Sequence, residues 1–311
     1  MDRRTAWVLG IIFGGAFVCL LAFFGIVYFA MKGGSSPTSS SGPSGGERIG
    51  VVEIIGQIDD SKKTLKYLKE LERDDKIKAV IIRIDSPGGA VGPSQEVYDA
   101  VFKLRQKKKV VASMGSLAAS GGFYIACAAE KVVANPGTLT GSVGVIFQIP
   151  NVTRLMQWAG VEVNTITAGK MKDAGSMFRT MKPEERAYFE SVLADVHEQF
   201  IAAVAEGRGM KVEDVRPYAD GRVMSGRQAK ALKFVDELGG MDRAVTLVSQ
   251  MAGIKGEPQL QYHHEKKNFI EDLLDRDKDV DTKFIGAIKS MITESIGSGG
   301  LQYRLKTLGT D

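Results

Sequence analysis

The sequence predicts an α/β domain: a mostly parallel sheet covered by helices, preceded by one apolar N-terminal helix. Three observations carry this. Strand-like and helix-like stretches alternate from residue 48 onward, the pattern of parallel strands joined by covering helices. The strands "RIGVVEIIG" (48–56), "IKAVIIRID" (77–85) and "KVVASM" (109–114) are rich in Ile and Val, as strands buried on both faces are. Residues 6–31 carry no charge at all.

That first run is long enough for the roughly 20 apolar residues that cross a bilayer. It exceeds the apolar part of a cleaved signal peptide, about 7–15 residues, so an uncleaved anchor is expected. Arg3 and Arg4 precede it and only Lys32 follows before a neutral stretch. The positive-inside rule then keeps residues 1–5 in the cytoplasm and sends the rest across. Residues 32–46, rich in Gly and Ser, form a flexible tether. The folded domain is expected over 47–256.

Within it, helical spacing covers 61–73 and 95–106, with the turn "SPGGAVGPS" (86–94) between. A helix follows Ser120, then the strand "KVVAN" (131–135) and a strand-like "VEVNTIT" (161–167). A long helix over 183–206 opens at Pro183, with Glu184 and Glu185 in its first turn, where the helix dipole favours acids. Residues 221–245 read as short strand, helix, short strand, helix. A polar tail is expected over 257–311, with weak amphipathic stretches at 268–274 and 284–296.

Composition narrows the function. A net charge of +4 over 311 residues is too small and scattered to argue for nucleic acid. The basic run "RQKKKVV" (105–111) reads as a solvated turn. Cys19 and Cys127 sit in apolar segments and read as small hydrophobes. His197, His263 and His264 form no zinc pattern, so no metal or cofactor is expected.

The informative stretch is "MGSLAASGGFYIACAAEKVV" (114–133). Ser120 precedes two glycines at the start of an apolar helix, although Gly costs roughly 1 kcal/mol against Ala inside a helix. The plainest meaning of such a serine is an N-cap, and that of "SPGG" (86–89) is a turn. The sharper one is a nucleophile. The Gly121 N–H would face the same space as the hydroxyl, a donor of the kind an oxyanion needs. A second donor could come from "SPGG" at another strand end. No histidine has a convincing setting as base, but a lysine made neutral by burial can serve. "TAGKMKDAGSMFR" (167–179) offers Lys172 and its neighbour Lys170, and the residues alone do not choose between them.

"SPGG", "SMGSLAASGGFYIA", "NPGTLTGSVGVI" and "GKMKDAGSMFR" occur in the order and spacing of signal peptide peptidase A. The chain resembles that family of membrane-anchored Ser–Lys proteases of the ClpP/crotonase-like fold over about residues 48–252. The resemblance implies Ser120 as nucleophile and Lys172 as general base. It implies backbone N–H groups of Gly89 and Gly121 as oxyanion donors, and Ser142 as the residue orienting the lysine amine. Met177 stands where the pattern often has proline, which leaves the dyad untouched. The resemblance also implies signal peptides as substrates and a homo-oligomeric ring whose sites are shared between protomers. The protein would sit in a bacterial cytoplasmic membrane, catalytic domain outside.

Two other classes fit the sequence less well. A crotonase-like acyl-CoA enzyme would need carboxylates in the Gly-rich loops, and none stands there. A non-catalytic scaffold would have no reason to keep Ser120 and Lys172. A related membrane serine protease with another substrate is the nearer rival.

Overall fold

The computed structural model describes residues 47–263 and the backbone of 302–304. The apolar run 6–31, the tether and most of the tail lie outside the described residues. Among the described residues no helix is long and apolar enough to cross a membrane.

Strand β1 (Arg48–Ile55) leads through helix α1 (Lys62–Arg73) to β2 (Ile77–Ser86). A short β3 (Gly88–Ala90) runs directly into α2 (Val91–Leu104), followed by β4 (Lys109–Ala119) and α3 (Gly121–Cys127). Then come β5 (Lys131–Ala134), β6 (Leu139–Gly141), α4 (Thr153–Trp158) and the long α5 (Pro183–Arg208). The chain closes with α6 (Val212–Val215), β7 (Val223–Ser225), α7 (Gly226–Ala231), β8 (Glu237–Leu238), α8 (Met241–Ala252) and β9 (Gln259–Tyr262). The main sheet runs β7-β6-β4-β2-β1-β9, with β5 beside β4 and β8 beside β5. Every pairing in it is parallel except β6 with β7.

Alternation along the central strands explains why both faces are covered. Val80, Ile82 and Ile84 of β2 and Val110, Ala112 and Met114 of β4 join a core with α2, α3 and α5. Ala79, Ile81 and Val111 point the other way, into a second core under Ala244, Leu247 and Val248 of α8. Successive strand residues face opposite sides, so a two-faced burial needs an unbroken apolar run.

The expected alternation of elements is observed, with differences at the edges. The helix expected over 95–106 starts at Val91, because β3 delivers the chain straight into it. Strand β4 runs on to Ala119, so no loop separates it from Ser120. The strand-like 161–167 belongs to no strand. Its Val161, Val163 and Ile166 are exposed and find no sheet edge among the described residues. Residues 259–262, expected in the tail, form β9 beside β1 in the parallel sheet.

One irregularity shapes the site. Ile84 of β2 faces Met114, but Ser86 faces Ala118, so β4 bulges between. The Asp85 carboxylate accepts the N–H groups of Ser116 (3.3 Å) and Leu117 (3.1 Å) inside that bulge. Beyond it β4 leaves β5 and pairs with β6 through Leu117, Ala118 and Ala119. A bulge re-aims the strand that carries it, and here it aims the Ser120 turn.

Candidate active site

Ser120 is the single residue between β4 and α3, with φ 54° and ψ −119°. Backbone so placed costs a non-glycine residue roughly 1–3 kcal/mol unless its surroundings hold it. Two bonds hold it: the Ser120 N–H donates to the Gly141 carbonyl, and the Tyr124 N–H donates to the Ser120 carbonyl, both at 2.8 Å. All seven residues of α3 behind it are buried. The hydroxyl does not cap the helix. It is fully buried, and its Oγ has no hydrogen-bond partner among the described residues. A buried unpaired polar group costs about 1–3 kcal/mol. Ser249 Oγ is in the same position, so it is the strained elbow and its glycines together with the unpaired hydroxyl that single out Ser120. A strand–turn–helix elbow is a setting in which a nucleophilic serine is found.

The glycines around it are required by close approach. A Cβ on Gly121 would lie 2.6 Å from Ser94 Oγ and 3.3 Å from both Gly88 Cα and the Gly89 nitrogen. Gly121 and the 88–89 backbone therefore touch, and the two proposed donors share one small space. Gly121 opens α3, where an N–H has no partner within the helix. In β3, the Ile58 N–H donates to the Gly88 carbonyl (3.0 Å) and the Ala90 N–H donates to the Ile58 carbonyl (2.8 Å). Strand alternation then turns the Gly89 N–H away from Ile58. A Cβ on Gly89 would overlap the Ile58 carbonyl. On its outer side β3 pairs antiparallel with β10 (Gln302–Arg304), Gly89 facing Tyr303. That edge thus accepts an extended segment beside the serine.

Ser142 lies next to this group. It follows Gly141, whose carbonyl holds the Ser120 amide, and it shares the unusual φ of 54°. Its own N–H donates to the Arg222 carbonyl at 2.8 Å. Ser120, Gly121, Gly89 and Ser142 are brought together.

Lys172 is not brought in. It was expected to be buried, but in the single chain it is exposed, as is Lys170. Neither amine hydrogen-bonds to Ser120, whose Oγ has no partner. The physical reason lies in the segment that carries them: residues 161–170 and Lys172 itself are all exposed among the described residues. Among the described residues no group of His, Cys, Asp or Glu could hold a metal ion. Burial pushes the Cys127 thiol up to about 12, a small core hydrophobe rather than a nucleophile.

One cluster was missed by sequence reasoning. Arg179 joins Asp173, the residue after Lys172, to Glu185 in the first turn of α5. The only signal was composition, an arginine between two acids across an irregular loop.

Residues 47–140, which carry β1 to β5 and the Ser120 elbow, match the Clp protease family, and the domain is a serine peptidase of that α/β class. Over residues 103–255 the chain matches peptidase family S49, and it belongs to that family. A Synechocystis sp. relative, named for a protease and no substrate, is 42% identical over 67% of this chain and 76% of its own length. The chloroplastic serine protease SPPA of Arabidopsis thaliana is 36% identical over 62% of this chain and 29% of that protein. Protease 4 of Salmonella typhi is 30% identical over 81% of this chain and 41% of that protein. The chain thus spans most of the first relative and under half of the other two.

Proposed function

We propose that this S49 peptidase is a membrane-anchored endopeptidase that degrades cleaved signal peptides, with Ser120 as nucleophile and Lys172 as general base. The observation that carries it is the buried, partnerless hydroxyl of Ser120 on a strained elbow beside Gly121 and Gly89. Residues 6–31 serve as the anchor and 32–46 as the tether, placing the domain outside a bacterial cytoplasmic membrane. The family relatives named as proteases support hydrolysis. The pairing of β3 with the extended β10 supports an extended peptide as substrate, one that would take the place of β10 on that edge and gain main-chain bonds whatever its sequence.

In this mechanism the neutral Lys172 amine takes the Ser120 proton as Oγ attacks the scissile carbonyl carbon. The carbonyl electrons move to oxygen, held by the Gly89 and Gly121 N–H groups. The amine returns the proton to the leaving nitrogen, the C–N bond breaks, and an acyl-enzyme remains. Water, deprotonated by the same lysine, then releases the acid and restores Ser120. Ser142 orients the lysine amine.

The dyad is assembled between protomers. Lys172 is exposed in one chain, and the segment before it presents Leu155, Trp158 (85% exposed), Val161, Val163 and Ile166 (98% exposed) to solvent. Exposed apolar surface of this density marks an interface. A head-to-tail contact that closes into a ring would cover it and carry Lys172 to a neighbour's Ser120.

A fluorophosphonate probe tests the reading together with cleavage of a synthetic signal peptide in detergent. Wild type should label at Ser120 and cleave the peptide, while Ser120→Ala, Lys172→Ala and Lys172→Arg should not cleave, since guanidinium keeps its proton. Labelling without signal-peptide cleavage, but with cleavage of other peptides, would favour the protease with another substrate.

A further inference from the structure

One side chain makes most of the polar bonds that tie the Lys172 segment to α5. All five N–H donors of the Arg179 guanidinium are engaged. Its Nε donates to Asp173 Oδ2 (2.6 Å) and its Nη2 to the Asp173 carbonyl (2.6 Å). Nη2 and Nη1 donate to Glu185 Oε1 (2.6 Å) and Oε2 (3.0 Å), and Nη1 also reaches the Thr180 carbonyl (3.2 Å). Glu185 is anchored in turn: its side chain is 2% exposed, and Oε2 accepts the Lys182 N–H at 3.1 Å where α5 begins.

We propose that Arg179 is a positioning residue for the base, fixing Asp173, the residue that follows Lys172, to the start of α5. The inference rests on the reading of Lys172 as base. Around Lys172 the remaining bonds are local turns, Lys172 N–H to the Gly169 carbonyl (3.1 Å) and Ala174 N–H to the Met171 carbonyl (3.1 Å). Such turns shape the loop but tie it to nothing else. The Val152 N–H to Met177 carbonyl bond (2.8 Å) and the packing of Phe189 on Phe147, and of Ile149 and Phe189 on Gly175, add to the clamp. A planar five-donor fork can hold a carboxylate, a second carboxylate and two carbonyls at once, which a lysine ammonium cannot. Precision matters here because about 1 Å of misplacement in a reacting group can cost about 10²-fold in rate. The clamp would let an otherwise exposed segment present its amine in one place to a neighbour's serine.

The test compares kcat and KM on a soluble peptide ester for wild type, Arg179→Lys, Arg179→Ala, Asp173→Ala and Lys172→Ala, with assembly size and melting recorded for each. The expected result is a kcat loss of about 10²-fold for Arg179→Ala with KM within about two-fold, little rescue by Arg179→Lys, and partial rescue of Arg179→Ala by low-millimolar guanidinium. Asp173→Ala leaves the Arg179–Glu185 pair and α5 intact, so it decides the matter should Arg179→Ala fail to fold. It should assemble and lose kcat by about ten-fold, KM unchanged. A folded Arg179→Ala or Asp173→Ala with wild-type kcat, beside an inactive Lys172→Ala, overturns the positioning role and leaves the base in place. Activity in Lys172→Ala instead overturns the base reading itself.

Discussion

The amide N–H of Ser120 donates to the carbonyl of Gly141 at 2.8 Å. That bond joins the end of β4 to the end of β6 and sets two serines with φ of 54°, Ser120 and Ser142, around one point. Backbone strain at adjacent strand ends is tolerated only where the surroundings over-determine it. Here they do, through the β4 bulge held by Asp85, the β6 pairing and the buried helix Gly121–Cys127.

Removing the hydroxyl should cost no stability. Among the described residues Ser120 Oγ is buried without a partner, so Ser120→Ala deletes an uncompensated desolvation cost and should melt at or above wild type, by up to about 1 kcal/mol. Thermal unfolding of both proteins checks this. A loss above about 1 kcal/mol would mean that the hydroxyl has a structural partner.

Gly121 separates folding from catalysis. Gly121→Ala should lose roughly 1–3 kcal/mol through overpacking, since its Cβ would meet Ser94 Oγ at 2.6 Å. Ser94→Ala in the same chain removes that clash and should restore most of the stability. Activity should stay low in the double variant, because the new methyl still stands 3.3 Å from the Gly89 nitrogen, in the space an oxyanion would use. Full activity there would remove the Gly89–Gly121 pair from the site.

The Arg179 clamp has its own pH signature. The Arg179 hydrogen bonds, first, and the Lys182 N–H hold the Glu185 carboxyl down at about 2, from an ordinary 4.5. A group depressed on folding contributes stability that is full above its unfolded pKa and lost as pH falls through the folded one. The melting difference between wild type and Glu185→Gln should therefore be constant above about pH 5 and shrink between about pH 4.5 and 2. A difference that persists at pH 2 would show that the ion pair contributes nothing to it.

Much of the fold was legible because the central strands are buried on both faces. Ile81 and Ile82 serve opposite cores, so β2 reads as a strand from composition alone. The short β3 and β6 and the edge strand β9 carry no such run, and only their pairing makes them strands. Residues 161–167 do not form the expected strand, because Val, Thr and Ile give a strand-like composition whether they face a sheet or solvent. In the site, Ser120 and its glycines were legible because a helix start rarely needs them. The Asp173–Arg179–Glu185 clamp was not, since it joins residues six apart through irregular chain and only the folded loop brings the three together.

The central claim is that Ser120 of one protomer works with Lys172 of the next. Ser120→Ala subunits keep a good lysine and Lys172→Ala subunits keep a good serine, and each alone should be inactive. The direct measurement is peptide hydrolysis after an equal mixture of the two is dissociated and reassembled. Shared sites predict recovery of about a quarter of wild-type activity, because half of the subunits can supply each partner around a ring. Background activity in rings shown to contain both variants would contradict it.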